Sequence, residues 1–353
     1  MKKKTIIKEV ICILIFLVTL TLTIVVLNEV LAPKWLTNKD NSHRYIMRGF
    51  YEEEKNSLDV IFMGNSDTYR GISPIKIWED YNITSYNYVS SGQRMWTGYY
   101  MLLEALKYQH PKVIFFNVDE LRSSNHSSFS NYRKVFDDMK LDDVKIKAIM
   151  DDEAFDFSKE KKISMFFKLL NYHTRYNELT KEDFTYAFKP LYNFNKGLDM
   201  ITISKPYTKD YTDAPLTDEV APLDSKVLKY LDKFVKTCKD NDIELVFFYI
   251  PSPDSWNIKN SNSIKKYAKE HDIEYLDLNL IYKDIGIDFT KDTCDAGDHL
   301  NVYGAEKVSS YIGDYINKHY TFAKKDEKLI ERWNNDCLSY NKFKENLEKE
   351  EHK

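Results

Sequence analysis

Three observations predict an α/β domain with a parallel sheet, entered through an apolar N-terminal helix. Short apolar runs alternate with amphipathic helical stretches along most of the chain. Several of these runs stop at glycine, serine or asparagine turns, where a strand gives way to a helix. Residues 10–27 carry no charge at all. Helices on both faces of the sheet make a three-layer fold. A break in the alternation over residues 121–223 predicts a mostly helical insertion.

The elements follow in order. Lys2, Lys3, Lys4 and Lys8 precede the uncharged run, in which Thr19, Thr21 and Thr23 stand out as polar. Its length approaches the ~20 residues that cross a bilayer as a helix. It exceeds the ~7–15 apolar residues of a secretory signal, and no small-residue cleavage site stands before Asn28. Residues 1–32 therefore read as cytoplasmic lysines and a single transmembrane anchor. The lysines keep that end inside, so the rest of the chain is expected on the extracytoplasmic side. Residues 33–57 form a polar connector, with a short helix over 45–51.

The domain proper spans residues 58–320. It opens on LDVIFMGNSDTYR, residues 58–70. Val60 to Met63 suit a strand buried on both faces, Gly64 permits the sharp turn, and Ser66 lies at the strand's carboxyl end, where open α/β sheets bind ligands. A helix over Pro74–Tyr81 leads to a second strand at 85–89, ended by Ser90, Ser91 and Gly92. The stripe Met95, Tyr99, Leu102, Leu103, Leu106 has helical spacing. The run KVIFFNV, residues 112–118, is the third strand, with Asn117 and Asp119 at its end. The insertion then holds polar loop material, a charged helix-like stretch to about residue 162 and the aromatic segment 165–176, and as a whole it is expected to cover the sheet's active edge. After it come a helix over Ser225–Asp240, a strand at 243–250, a helix at 263–271, a strand at 273–278 and a closing helix at 305–320. Residues 321–353 are so heavily charged that a solvated helix or disordered tail is expected.

Composition narrows the class. The 353 residues include 30 % charged and 43 % hydrophobic, with a net charge of −4. No basic patch interleaved with aromatics occurs, so no nucleic-acid partner is expected. Cys12 lies in the anchor; Cys238, Cys294 and Cys337 are odd in number and lack metal spacing, so neither a disulfide framework nor a metal site is indicated. No cofactor is expected.

The chemistry gathers in DTCDAGDHLNVYG, residues 292–304. His299 precedes the closing helix, with Asp295 four residues back and Asp298 beside it. A histidine held by a carboxylate is the general-base half of a nucleophilic serine site, for which Ser66 is the candidate nucleophile. A lone loop histidine is usually only solvated. Here Ser66, Gly92, Asn117 and His299 all stand at corresponding ends of the predicted elements.

In that order the motifs resemble the SGNH/GDSL hydrolase superfamily. Gly64-Asn65-Ser66-Asp67 resembles the first block, Gly92 the second, Asn117 the third and Asp295–His299 the last. Within the superfamily the chain is similar to membrane-anchored extracytoplasmic members, namely the D protein of teichoic-acid D-alanyl transfer and the J and X proteins of alginate acetylation. Residues 295–308 and 172–184 both resemble small single-anchor members. The resemblance implies that Ser66, His299 and an aspartate are catalytic, and that Gly92 and Asn117 serve the oxyanion. It also implies an SGNH-hydrolase-like sheet, a cell-surface glycopolymer substrate and a membrane-bound O-acyltransferase as partner. Two departures stand out. The first block is GNSD rather than GDS, and the family's aspartate position, three before the histidine, is Ala296. Asp295 is the preferred acid over Asp298, whose side chain diverges from that of its neighbour. The G-x-S-x-G elbow of α/β-hydrolases is absent.

Two functions are consistent with these residues. One is serine-dependent acyl transfer or ester hydrolysis on an extracellular glycopolymer. The other is an anchored polysaccharide-binding or accessory protein with a vestigial serine site, since 26 tyrosines and 20 phenylalanines suit sugar rings as well as core packing.

Overall fold

The computed structural model describes all residues except 1, 35, 39–40, 123–124, 210–216 and 352–353. Parts of the expected connector and insertion, and the end of the expected tail, therefore lie outside the described residues. Helix α1 (Lys2–Leu31) contains a 26-residue stretch, Ile6–Leu31, apolar and long enough to cross a membrane, with none of its most apolar window buried. A small ribbon, β1 (Leu36–Asn38) and β2 (Asn41–Ser42), and helix α2 (His43–Gly49) lead into the domain.

Five parallel strands make the sheet: β3 (Val60–Met63), β4 (Ser85–Asn87), β5 (Val113–Asn117), β6 (Glu244–Tyr249) and β7 (Glu274–Asp277). Their order is β4-β3-β5-β6-β7. The chain starts in the middle, steps out to one edge, then crosses back to build the other side. The strand order thus reverses between β3 and β5, and the carboxyl ends of these strands diverge there to leave a crevice.

Both faces are covered, so the strands read as continuous apolar runs. Ile61, Met63, Ile114, Phe116, Phe247 and Tyr249 point to one core. It is roofed by α5 (Met95–Ala105), α12 (Ser225–Asp240) and α13 (Ile258–His271). Val60, Phe62, Val113, Phe115, Val246 and Phe248 point to the other. That side is covered by α4 (Pro74–Tyr81) and α15 (Val302–His319), through Ile77, Val308, Ile312 and Ile316. The three-layer α/β architecture is as the alternation predicts. The remaining short helix beside the site is α3 (Ser66–Gly71), and α14 (Tyr282–Ile285) precedes the histidine loop.

The insertion is helical only as far as residue 185, through α6 (Phe129–Phe136), α7 (Asp143–Met150), α8 (Asp152–Phe155), α9 (Lys159–Phe166), α10 (Leu169–Tyr172) and α11 (Lys181–Thr185), with a 3-10 turn at His173–Asn177; its described residues 186–209 and 217–223 are turns and irregular chain, not the helix expected. Part of the insertion, α6, stands at the sheet's carboxyl edge against Gly92, but the aromatic segment does not. It wraps the exit of the anchor instead: the Leu169 amide donates to Asn28 Oδ1 at 2.7 Å, Lys168 Nζ meets Glu29 Oε1 at 2.6 Å, and Tyr172 packs on Leu31 and Ala32. Aromatic spacing marks a face to be buried without saying against what.

The described part of the expected tail, residues 321–351, also departs from expectation. It forms α16 (Glu327–Glu351), whose Leu329, Trp333, Asp336 and Tyr340 are buried. Trp333 lies against Trp78 with ring centroids 5.3 Å apart, and the Tyr340 hydroxyl is 3.1 Å from Ser73 Oγ. A buried ion cluster fixes the same helix: Lys196 Nζ lies 2.8 Å from both Glu53 Oε1 and Asp336 Oδ2. Burial opposes the Lys196 charge, but the two carboxylates and Tyr192 outweigh it and hold the ammonium above its ordinary pKa.

Candidate active site

Gly64 makes the first turn of the site. Its φ is +144°, and a Cβ there would sit 2.6 Å from Thr68 Oγ1 and 2.7 Å from Asn117 Cβ. Only glycine lets β3 end so close to β5. Asn65 then caps α3, its Oδ1 accepting from the Asp67 amide at 3.2 Å. Ser66 is thus the first residue of α3, at the carboxyl end of a buried strand. Its amide and that of Gly92 donate to no other described group. Such orphan amides are suited to an anionic oxygen.

Gly92 has φ +57°, and a Cβ would meet Asn131 Nδ2 of α6 at 2.3 Å. The insertion therefore reaches the site here, as a backing wall behind the second glycine turn.

The histidine loop is a tight hairpin. Thr293 bridges Leu300, and the Cys294 amide donates to the His299 carbonyl at 3.0 Å. Ala296 (φ +65°) and Gly297 (φ +110°) turn the chain between them. This turn brings Asp295 back onto His299: its Oδ1 accepts from the His299 amide at 2.7 Å and its Oδ2 lies 2.6 Å from Nδ1. Asp298 Oδ2 is farther from Nδ1, at 3.3 Å. Residues after β6 prop the loop, since Ser252 Oγ donates to the Asp298 carbonyl at 2.7 Å and the Asp254 amide to the Gly297 carbonyl at 3.0 Å.

His299 Nε2 makes no hydrogen bond among the described residues, and its nearest carboxylate is Asp67 Oδ1 at 3.7 Å. No hydrogen bond joins it to Ser66 in this state. Burial disfavours the imidazolium, yet the Asp295 hydrogen bond and the carboxylates of Asp67 and Asp298 outweigh it and raise the His299 pKa. Burial also works against the Asp295 charge, but its bonds to His299 prevail and lower its pKa. Asp67 goes the other way. Burial, with Asp119 next in effect, lifts its carboxyl well above the usual range.

Ser66, Gly92, Asp298 and His299 open into one cavity of about 530 Å³, at the crevice between β3 and β5. Asn65, Asp67, Arg94, Asp119, Arg122 and Asn260 complete its wall. Asn117 is not part of it. The two-residue pleat of β5 points Asn117 to the same face as Val113 and Phe115, beneath Gly64, where it is fully buried. Its Oδ1 accepts from the Asp119 amide at 3.2 Å. Two residues on, Asp119 does reach the cavity, and its carboxylate gathers Asn65 Nδ2 at 2.6 Å, Tyr249 hydroxyl at 3.0 Å and Arg122 Nε at 2.9 Å. Of the further wall residues, Asp67 stands out in the sequence only as the last member of the first block and Asp119 only as a polar residue just past a strand's carboxyl end, while nothing in the sequence marks Arg94 or Arg122.

Asp295, Asp298 and His299 offer ligand atoms within 4.8 Å of one another, the one such group among the described residues. The histidine nitrogen they surround is already bonded to Asp295.

No family model matches the chain, and no curated protein does. Among solved structures, one provisionally assigned as an acylhydrolase, from Bacteroides fragilis NCTC 9343, aligns over 80 % of this chain and 99 % of its own, at 12 % identity and a TM-score of 0.36. So remote a likeness leaves the chemistry to this chain's own residues.

Proposed function

We propose that this chain is an SGNH-type serine O-acyltransferase or esterase, anchored in the membrane by α1, whose domain acts outside the cell on a surface glycopolymer. One observation carries the catalytic part: His299, fixed at Nδ1 by Asp295 and with Nε2 bonded to nothing among the described residues, lines the same cavity as Ser66 and Gly92. The order of blocks from Gly64 to His299 supports the SGNH type. The polar cavity wall suits a hydroxyl-rich acceptor better than a lipid chain.

The proposed reaction assigns each of these residues a role. As Ser66 Oγ attacks an acyl carbonyl, its proton passes to His299 Nε2, and the carbonyl electron pair moves to the oxygen. The amides of Ser66 and Gly92 hold that oxyanion. Collapse expels the leaving alkoxide, which takes the proton from His299 and leaves acyl-Ser66. A polymer hydroxyl, or water, then enters, gives its proton to His299 as it attacks the acyl carbonyl, and displaces Ser66 Oγ, which takes that proton back from His299. Asp295 stabilises the imidazolium in both halves. A membrane-bound O-acyltransferase working on the same side would supply the acyl group.

A fluorophosphonate probe tests the catalytic reading on the full chain in detergent or nanodiscs. Wild type should label at Ser66, and Ser66→Ala and His299→Ala should not. A folded wild-type protein that resists the probe would return the reading to the anchored binding protein.

A further inference from the structure

We infer that the insertion carries a second membrane contact: an apolar rim around the exit of α1 that rests in the lipid interface and seats the domain on the bilayer. The inference depends on α1 spanning a membrane, as proposed above.

The rim is assembled from residues next to those that grip the anchor. Lys168 and Leu169 bond Glu29 and Asn28, and on either side of this pair Phe167 and Leu170 are more than half exposed. Arg175 Nη1 donates to the Leu31 carbonyl at 2.6 Å, and beside it Tyr176 is exposed. Asp183 meets Arg175 at 3.2 Å and Lys34 at 3.5 Å, and its neighbour Phe184 is exposed, as is Phe188. From the other side Leu141, also exposed, shares a cavity of about 420 Å³ with Val25 and Asn28 of the anchor.

Two facts single out this surface. Outside α1, the exposed phenylalanines among the described residues are Phe167, Phe184 and Phe188, all within residues 167–188, the segment that also supplies Lys168, Leu169, Arg175 and Asp183. Apart from the half-buried Ile24, the apolar side chains from Ile6 to Leu27 of α1 are exposed, while Val30 and Leu31, and Ala32 just after the helix, are buried in the domain. The bilayer edge therefore meets the protein near Asn28, the level at which Leu169 and its exposed neighbours stand. Water would meet the rim as a cluster of large apolar groups, which soluble surfaces avoid. An interfacial bilayer layer accepts such groups, and exposed Lys181 and Lys189 bracket the two phenylalanines of this stretch where anionic headgroups would lie.

The test uses the full chain in nanodiscs of phosphatidylcholine and phosphatidylglycerol, with a phosphatidylglycerol bearing a diazirine near the top of its acyl chain. After photolysis, adducts are mapped by mass spectrometry. Adducts are expected in α1, at Leu141 and across residues 167–188, with none in α16, whose exposed Leu338 serves as the internal control. In a variant carrying Phe167→Asp, Leu170→Asp, Phe184→Asp and Phe188→Asp, the rim adducts should vanish while those in α1 and the unfolding midpoint stay unchanged. Adducts confined to α1 in the wild type would overturn the rim and leave the anchor standing. Adducts absent from α1 as well would overturn both.

Discussion

At the residue scale, the loop around His299 makes two aspartates do different work. Asp295 bonds both the backbone amide and Nδ1 of His299, whereas Asp298 only approaches Nδ1. Asp295→Ala should therefore lower kcat/KM by roughly 10²–10⁴-fold, in the manner of a missing triad acid, and Asp298→Ala by less than about tenfold. The pH profile separates them further. Catalysis needs neutral His299, and its pKa is raised above the ordinary 6.5, so the acid limb of kcat/KM should fall at higher pH than for a free imidazole. Asp298→Asn removes one of the charges that raise it. That limb should then move to lower pH with the plateau nearly kept. A limb that stays in place would show that Asp298 does not act on the imidazole. Much of this was legible in the sequence, because a glycine turn after an apolar run and a histidine before a helix are local patterns. Asp295 could be preferred on reach alone, but the left-handed turn at Ala296 that allows the reach is a backbone fact. Asn117 stands outside the cavity because spacing places a residue at a strand end while the pleat decides its face.

Elements show the same divide. The helices α4 and α12 occupy the ranges their apolar stripes predict, since both bury one face against the sheet. Charge hid α16. Its buried positions, Leu329, Trp333, Asp336 and Tyr340, recur every three or four residues, yet they are outnumbered by lysine and glutamate. Trp333→Ala should destabilise the domain by about 3–5 kcal/mol, read as a lower urea midpoint. An unchanged midpoint would return α16 to the status of an appended tail. The second glycine turn makes a separate prediction. Gly92→Ala adds a Cβ at positive φ against Asn131, so the amide it carries must move. A loss of about 10²–10³-fold in kcat with little change in KM is expected if that amide holds the oxyanion. A KM effect alone would assign Gly92 to binding.

For the whole molecule, the reversal of strand order between β3 and β5 explains how residues 66 and 299 come to share one cavity. The sidedness of that cavity remains a matter of topology. Protease added to intact cells should remove the chain beyond residue 34 and spare α1, and full protection until lysis would reverse the orientation. The packing of α16 has a kinetic meaning as well. Ser73 and Tyr340, in contact through their hydroxyls, are 267 positions apart, and Trp78 waits for Trp333 across a similar span. Contacts so distant along the chain close late and slowly, because the loop between them must be ordered first. Until α16 returns, the Trp78 side of the core stays open to solvent. A chain halted short of residue 333 should then persist as a partly folded species prone to aggregation and proteolysis, even with Ser66 and His299 both already made.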